Sequence, residues 1–196
     1  MKLIDAKRDQ YRKLAHEQGF RSRAAYKLKE MNKSYRIIGP GSYVVDLGCA
    51  PGGWVQVAQK ISGNQGKVLG IDLSFVEEIP NAKIIQHDIE SIDVVDEIIS
   101  YFGKKADSLI CDLSPQVSGN WSVDHAAQIS LNYSAVRIME QVLNKKGNAL
   151  FKVFDGEFSA EFFDFMKKKF IKTKRTKPNA SRKPSSELYC ICLGYL

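Results

Sequence analysis

Seven short runs rich in β-branched and apolar residues punctuate this chain, at 43–47, 67–71, 83–87, 108–111, 148–153, 171–177 and 187–193. The first five are separated by stretches with helical composition, which argues for parallel strands joined by helical crossovers and an open sheet covered by helices. The helical stretches are 21–32, 54–61, 93–102, 124–144 and 159–168, the first with Ala24, Leu28 and Met31 on one face. The last two strands are joined without a helix, so an antiparallel hairpin at the sheet edge is expected. Their connection, 177–186, carries two prolines, three serines and the pair Arg182-Lys183, and reads as an exposed basic loop. A chain of 196 residues with 44% hydrophobic content can bury one sizeable core. One domain over 1–196 is therefore expected, with a basic helical segment at 1–36.

Directly after the first strand comes Asp46-Leu47-Gly48-Cys49-Ala50-Pro51-Gly52-Gly53-Trp54. Glycines here let the backbone turn sharply and approach a ligand, while the next helix presents its N-terminal amides. A dinucleotide fingerprint needs G-x-G-x-x-G, but Ala50 stands two after Gly48 and the spacing is G-x-x-x-G-G. Asp72, ending the second strand, either accepts both hydroxyls of a ribose or is a solvated strand-end carboxylate or helix cap. Asp88, in Gln86-His87-Asp88-Ile89, either accepts from an adenine amino group or caps the following helix. Asp112 and Lys152 each end an apolar strand, at the carboxyl edge where open α/β folds place their sites.

Charge is segregated. Residues 1–36 carry eleven Lys/Arg against four Asp/Glu, residues 37–151 eight against thirteen, and residues 152–196 ten against five, for a net charge of +7. Basic ends around an acidic middle suit a phosphate-backbone ligand if the fold brings those ends together. Arg21, Arg23, Lys29, Lys33, Arg36, Arg175, Lys177, Arg182 and Lys183 are candidate phosphate contacts, and Tyr26 is a candidate for stacking on a base or for the core. Cys49, Cys111, Cys190 and Cys192 form no C-x-x-C pair, and His16, His87 and His125 have no ligand spacing, so neither a disulfide framework nor a metal site is expected. The histidines read as solvated or capping residues. No apolar run approaches the roughly 18 residues that cross a bilayer, and Met1-Lys2-Leu3-Ile4-Asp5 lacks the core of a signal peptide. A cytoplasmic monomer without membrane attachment is expected.

Five separated blocks carry a family resemblance: Gly19-Phe20-Arg21-Ser22-Arg23-Ala24-Ala25-Tyr26-Lys27-Leu28, Val45 to Trp54, Cys111-Asp112-Leu113-Ser114-Pro115, Phe151-Lys152-Val153-Phe154, and Ser181-Arg182 followed by Ser186-Glu187-Leu188-Tyr189. In these blocks, which span nearly the whole chain, the sequence resembles the FtsJ/RrmJ (RlmE) family of S-adenosylmethionine-dependent RNA ribose 2′-O-methyltransferases. The resemblance implies a Rossmann-like methyltransferase fold, with a seven-stranded, mostly parallel sheet, an antiparallel last strand and helices on both faces. It implies S-adenosylmethionine as cofactor, held around Asp46, Gly48, Gly52, Gly53, Trp54, Asp72, Asp88, Ile89 and Asp112. It also implies a catalytic K-D-K-E quartet of Lys27, Asp112, Lys152 and Glu187.

A ribose hydroxyl is a weak nucleophile at neutral pH, so such an enzyme must position and deprotonate it. Lysine can act as the base if neighbouring positive charge and desolvation favour its neutral form. Lys152 is the expected base, with Lys27 favouring its amine and Asp112 and Glu187 fixing its orientation. Other roles fit the same residues: Lys27 lies four after Arg23 and three before Glu30, as solvated helix lysines do, and Glu187 opens a strand where it could face solvent. Amino-methylating enzymes carry an N/D-P-P-aromatic block where Asp112-Leu113-Ser114-Pro115 stands here, and a pyrimidine carbon-5 methyltransferase needs a loop cysteine, whereas Cys111 lies inside a strand. The family resemblance points to large-subunit ribosomal RNA, free or in a particle, with a uridine ribose as first choice. Transfer RNA is the alternative acceptor, and a cofactor-binding RNA chaperone or assembly factor the alternative class.

Overall fold

The computed structural model describes residues 10–182 and 184–196, and its frame is set by strands that are apolar on both faces. In β1 (Tyr43–Leu47), β2 (Lys67–Asp72) and β4 (Ala106–Cys111) nearly every residue is buried, as strands covered on both sides must be. With β3 (Lys83–Gln86), β5 (Leu143–Phe154), β6 (Phe170–Thr176) and β7 (Glu187–Tyr195) they make one seven-stranded sheet in the order β3-β2-β1-β4-β5-β7-β6. The first five strands are parallel, and β7 runs antiparallel to both β5 and β6. The expected hairpin is present, its second strand inside the sheet and its first at the rim.

Alternation along the strands sorts the core into two layers. Val45, Leu47, Leu69, Leu109, Phe151 and Val153 pack under α4 (Val94–Phe102), α5 (Trp121–Val142) and α6 (Ser159–Lys167). Val44, Val68, Ile110, Leu150 and Tyr189 pack under α1 (Gln10–Glu17), α2 (Ala24–Tyr35) and α3 (Gly53–Ser62). Chain order leaves β1 toward β2 and β3, then returns to its other side with β4. The strand direction therefore reverses its progress between β1 and β4, and the crevice at their carboxyl ends is where such sheets take ligands.

Several boundaries differ from the sequence expectation for identifiable reasons. α2 begins at Ala24 rather than 21, because Arg21 N donates to Gln56 Oε1 (2.9 Å) instead of opening a helix. α5 begins at Trp121 rather than 124, because the Asn120 side chain accepts from Ser122 N and Val123 N, while Asp124 turns back to Ser118 N and Oγ (both 2.7 Å). It ends at Val142, and β5 starts early because Leu143 pairs with Ala106. The basic segment 1–36 holds two helices, broken at Gly19 (φ 71°); residues 1–9 of it lie outside the described residues.

Two expectations are corrected. The loop 177–186 is not simply exposed: Pro178, Ala180 and Ser181 are buried. Glu30 of α2 accepts from Asn179 N and Nδ2 (both 2.9 Å), and Arg23 donates to Ala180 O (2.5 Å), so the N-terminal helix and the hairpin loop are tied together. Of the two roles expected for His125, solvated or capping, burial removes the first, while its Nε2 accepts from Phe158 N (3.0 Å) at the start of α6.

The end of β5 is held by buried amides that give no sequence signal of their own. Gln128 Nε2 and Asn132 Nδ2 donate to Lys152 O (2.7 and 2.8 Å), and Gln128 Oε1 accepts from Phe154 N (3.2 Å). Gln128→Leu strands a buried N–H and weakens the hold on a carbonyl, costing about 1–3 kcal/mol. Thermal unfolding should then shift down by about 3–10 °C; an unchanged midpoint would show that these bonds do not brace the strand.

Candidate active site

The glycine loop starts where β1 ends. Gly48 N donates to Ile71 O (2.9 Å) and Asp112 N to Leu47 O (3.1 Å), so the loop, Asp72 and Asp112 converge at the β1–β4 crevice. Gly48 (φ 77°) lies so close to the Leu113 backbone that a Cβ would stand 3.0 Å from it. Gly52 (φ 107°) caps α3 without a side-chain cap, leaving the first amides of that helix open. Glycine serves a second purpose that the sequence did not reveal. A Cβ on Gly52 would meet Ile79 at 2.6 Å and one on Gly53 would meet Ser22 Oγ at 2.3 Å, so neighbouring segments press directly on the loop.

Arg21, expected as a phosphate contact, is part of that pressure. Its guanidinium donates to Glu77 O (2.7 Å), Glu78 O (2.8 Å) and Pro51 O (3.3 Å), which straps the glycine loop to the segment after β2. Asp72 braces the same loop, accepting from Ala50 N and Ser74 N (both 2.8 Å), and remains partly exposed at the crevice. Asp88 is exposed and closes a turn by accepting from Glu90 N (2.9 Å); the cap of α4 is Asp93, so the capping alternative for Asp88 does not hold. Ile89 is buried behind it. The Trp54 side chain is also buried, its Nε1 donating to Ala24 O (2.8 Å), so Trp54 can meet a ligand only through its main chain.

Asp46 is the least ordinary group here. It is fully buried, and both carboxylate oxygens lack a hydrogen-bond partner among the described residues. Burial raises its pKa well above the usual carboxylate value, and the charges of Asp112 and Asp72 raise it further. A buried carboxyl whose ionisation is disfavoured by its surroundings, beside two more acids, is suited to a cationic ligand, whose arrival would favour the charged form.

The quartet forms two adjoining pairs. Lys152 Nζ donates to Asp112 O (2.8 Å) and lies 3.3 Å from Asp112 Oδ1. Lys27 Nζ contacts Glu187 Oε2 at 2.5 Å. The sequence expectation placed both carboxylates on Lys152; the structure gives Glu187 to Lys27 instead. Sheet register joins the pairs, since Lys152 is opposite Tyr189 and Phe154 opposite Glu187. Burial would raise the Glu187 pKa, but Lys27, and more weakly Lys152, pull it below its ordinary value. Glu187 therefore stays ionised at neutral pH. Its neighbour Tyr189, missed in the sequence, is completely buried in the same cluster, with Lys27 Nζ 5.7 Å from its ring centroid. Burial, then Asp112 and Glu187, raise its pKa, so the phenol stays protonated. Its place two residues after Glu187 on a strand was the available signal.

A groove of about 400 Å³ opens over Lys27 and Glu187, lined also by Arg23, Arg182, Pro184 and Ser185. It joins the two basic ends of the chain. Of the other expected phosphate contacts, Arg175 pairs with Asp155, and Lys177 donates to Ser185 O (2.6 Å) at the rim of the groove. Arg36 ends α2 beside Ile37, whose carbonyl accepts from Ser108 and Asn148, well before the carboxyl ends of β4 and β5 where the site lies. Tyr26 donates to Leu14 O (3.1 Å) and packs on Tyr11 and Phe20, with Lys29 over its ring. Lys183 lies outside the described residues.

The FtsJ-like methyltransferase family model matches residues 20–195. The chain belongs to that family. The ribosomal RNA large subunit methyltransferase E of Nitrosopumilus maritimus is 69% identical over 196 residues, covering all of both chains. The protein of the same name from Methanocaldococcus jannaschii is 43% identical, over 98% of this chain and 81% of that one. A crystal structure described as a ribosomal RNA methyltransferase from Plasmodium falciparum superposes with a TM-score of 0.81 at 31% identity, over 90% of this chain and 99% of that one. This FtsJ-like protein is an S-adenosylmethionine-dependent methyltransferase with the Rossmann-like fold. No helix among its described residues is long and apolar enough to cross a membrane.

Proposed function

We propose that this protein, as one methyltransferase domain, transfers the methyl group of S-adenosylmethionine to a ribose 2′-hydroxyl of large-subunit ribosomal RNA, with Lys152 as the base. The observation that carries this reading is the pairing of Lys152 with Asp112 at the crevice, beside the Lys27–Glu187 pair under a basic groove. The curated relatives bear the name of ribosomal RNA large subunit methyltransferase E.

The residues present fit the cofactor. S-adenosylmethionine carries an ammonium and a sulfonium, and the partnerless buried carboxyl of Asp46 beside Asp72 and Asp112 is a site that a cation completes. Asp72 would take its ribose hydroxyls, Asp88 and Ile89 its adenine, and the loop from Gly48 to Trp54 its amino-acid end. The bound cofactor supplies an activated methyl group whose leaving group is a neutral thioether.

The chain's own residues then have little bond-making chemistry to do and much placement. Asp112 fixes the Nζ of Lys152 from two oxygens and so aims it at the incoming hydroxyl, whose proton it takes. The Lys27–Glu187 pair holds the ribose or its phosphate from the other side, and Arg23 and Arg182 line the path of the backbone. In-line alignment of oxygen, methyl carbon and sulfur accounts for much of the remaining acceleration. The enzyme works as a monomer in the cytoplasm.

Incubation with labelled cofactor and large ribosomal particles, free ribosomal RNA or total transfer RNA tests the acceptor. Label should enter ribosomal RNA and not transfer RNA; the opposite pattern would move the reading to transfer RNA, and RNA binding without transfer to any acceptor would support an assembly factor.

A further inference from the structure

Beside the proposed base lies a set of aromatic rings that neither the cofactor nor the quartet uses. Phe154, opposite Glu187 in the sheet, has its ring centroid 6.0 Å from Lys152 Nζ. Trp121 lies 5.7 Å from Phe154 with 26° between the planes, His125 6.1 Å from Trp121 with 17°, and Phe158 5.6 Å from His125 with only 4°. Phe154 and His125 are buried, but Trp121 and Phe158 are 47% and 40% exposed. Val117 and Val123, on either side of Trp121 in the chain, are exposed as well.

Leaving two large aromatics in water forgoes burial that would stabilise the fold. Their supports are nonetheless elaborate. Asn120 caps α5 at Trp121, and Asp124 ties down Ser118 and Gly119. His125 fastens Phe158 through its main-chain N–H, and its ring lies so close to Gly156 that any Cβ there would stand 2.9 Å from three of its atoms. Trp121 and Phe158 come from two different elements, each anchored by its main chain, and present open surface at the catalytic edge.

We infer that Trp121 and Phe158 form a stacking platform for an unpaired nucleobase of the substrate RNA, within one or two nucleotides of the ribose that is methylated. The inference rests on the RNA reading above and names how that RNA is gripped. Aromatic faces on a rigid support are how proteins hold splayed-out bases, and stacking tolerates every base because each has a π-face. Continuity selects this occupant: the ring contacts run from the platform through Phe154 to Lys152 Nζ, and across the strand pair lies Glu187 in the basic groove. A backbone lying in that groove with its ribose at Lys152 would bring a neighbouring base over Trp121. A ribosomal protein docking on the same patch is the competing occupant, decided by the test.

The two tryptophans make the test direct, because Trp54 is buried and Trp121 is half-exposed. A mixed-sequence single-stranded oligoribonucleotide should quench the fluorescence of the wild type, an abasic strand of equal length should not, and Trp121→Phe should lose the quenching. With ribosomal RNA as acceptor, Trp121→Ala and Phe158→Ala should each raise KM roughly five- to hundred-fold. Their kcat and cofactor affinity should stay near wild type, and Trp121→Phe should restore KM. Equal quenching by the abasic strand, or an unchanged KM in both alanine variants, would overturn the platform. So would a defect confined to protein-containing particles and absent on naked RNA. Base-dependent quenching in a protein that methylates no RNA would uphold the platform and sink the acceptor reading instead.

Discussion

Lys152→Ala should abolish methyl transfer while leaving S-adenosylmethionine binding almost unchanged. Lys152 Nζ is held by two oxygens of Asp112, at the carboxyl end of β5 where the acceptor must arrive. Removing a positioned base costs roughly 10²- to 10⁴-fold in rate. The loss should fall on kcat, since the side chain acts on the proton that leaves in the transition state. Lys152→Arg should fail nearly as badly, because a guanidinium keeps its charge and cannot accept that proton. The proposed cofactor site uses Asp46, Asp72 and the glycine loop and not Lys152, so cofactor affinity measured by calorimetry should shift by less than about threefold, or under roughly 0.7 kcal/mol. A Lys152→Ala enzyme that turns over at the wild-type rate would remove the lysine from the chemistry.

Asp72→Ala should have the largest effect on cofactor binding. Its carboxylate accepts from Ala50 N in the glycine loop and Ser74 N after β2, and it faces the crevice where a ribose edge would lie. Hydrogen bonds to a charged group contribute about 1.5–3 kcal/mol each. Loss of the ribose contacts together with relaxation of the loop should weaken S-adenosylmethionine at least about 100-fold, equivalent to roughly 2.7 kcal/mol. Asp72→Asn keeps one acceptor and should fall between. In both variants kcat at saturating cofactor should recover much of its wild-type value, the reverse of the Lys152 pattern. Equal cofactor affinity in Asp72→Ala would exclude this carboxylate from the ribose site.

Sheet architecture was legible because it is written in short-range periodicity: five parallel strands and a final hairpin follow from apolar patterning and from the missing helix before Glu187, although the helix expected between each pair of the first five strands is absent between β2 and β3, which residues 73–82 join as a loop. End points were less legible where a side chain outside the pattern decides them, as Asn120 does for α5 and Leu143 for β5. The quartet and the glycine loop could be named from local motifs and from strand ends. Their pairing could not, because which lysine meets which carboxylate depends on how α2 sits over β7 and on the register between β5 and β7, contacts between distant segments. The same holds for Arg21, whose charge suggested RNA but whose guanidinium holds three backbone carbonyls. Gln128, Asn132 and Tyr189 looked like ordinary helix and strand residues, and only burial reveals them as the frame around Lys152.

The central claim, a ribose oxygen deprotonated by Lys152, is tested most directly by where the transferred methyl group ends up. A 2′-O-methyl group blocks alkaline cleavage of the adjoining phosphodiester, because that cleavage needs the free 2′-hydroxyl. Ribosomal RNA labelled by the wild-type enzyme and hydrolysed in alkali should therefore release its label in an alkali-resistant dinucleotide, with none released after treatment with Lys152→Ala. Label recovered in mononucleotides as a methylated base, or in equal amount from both enzymes, would contradict the account.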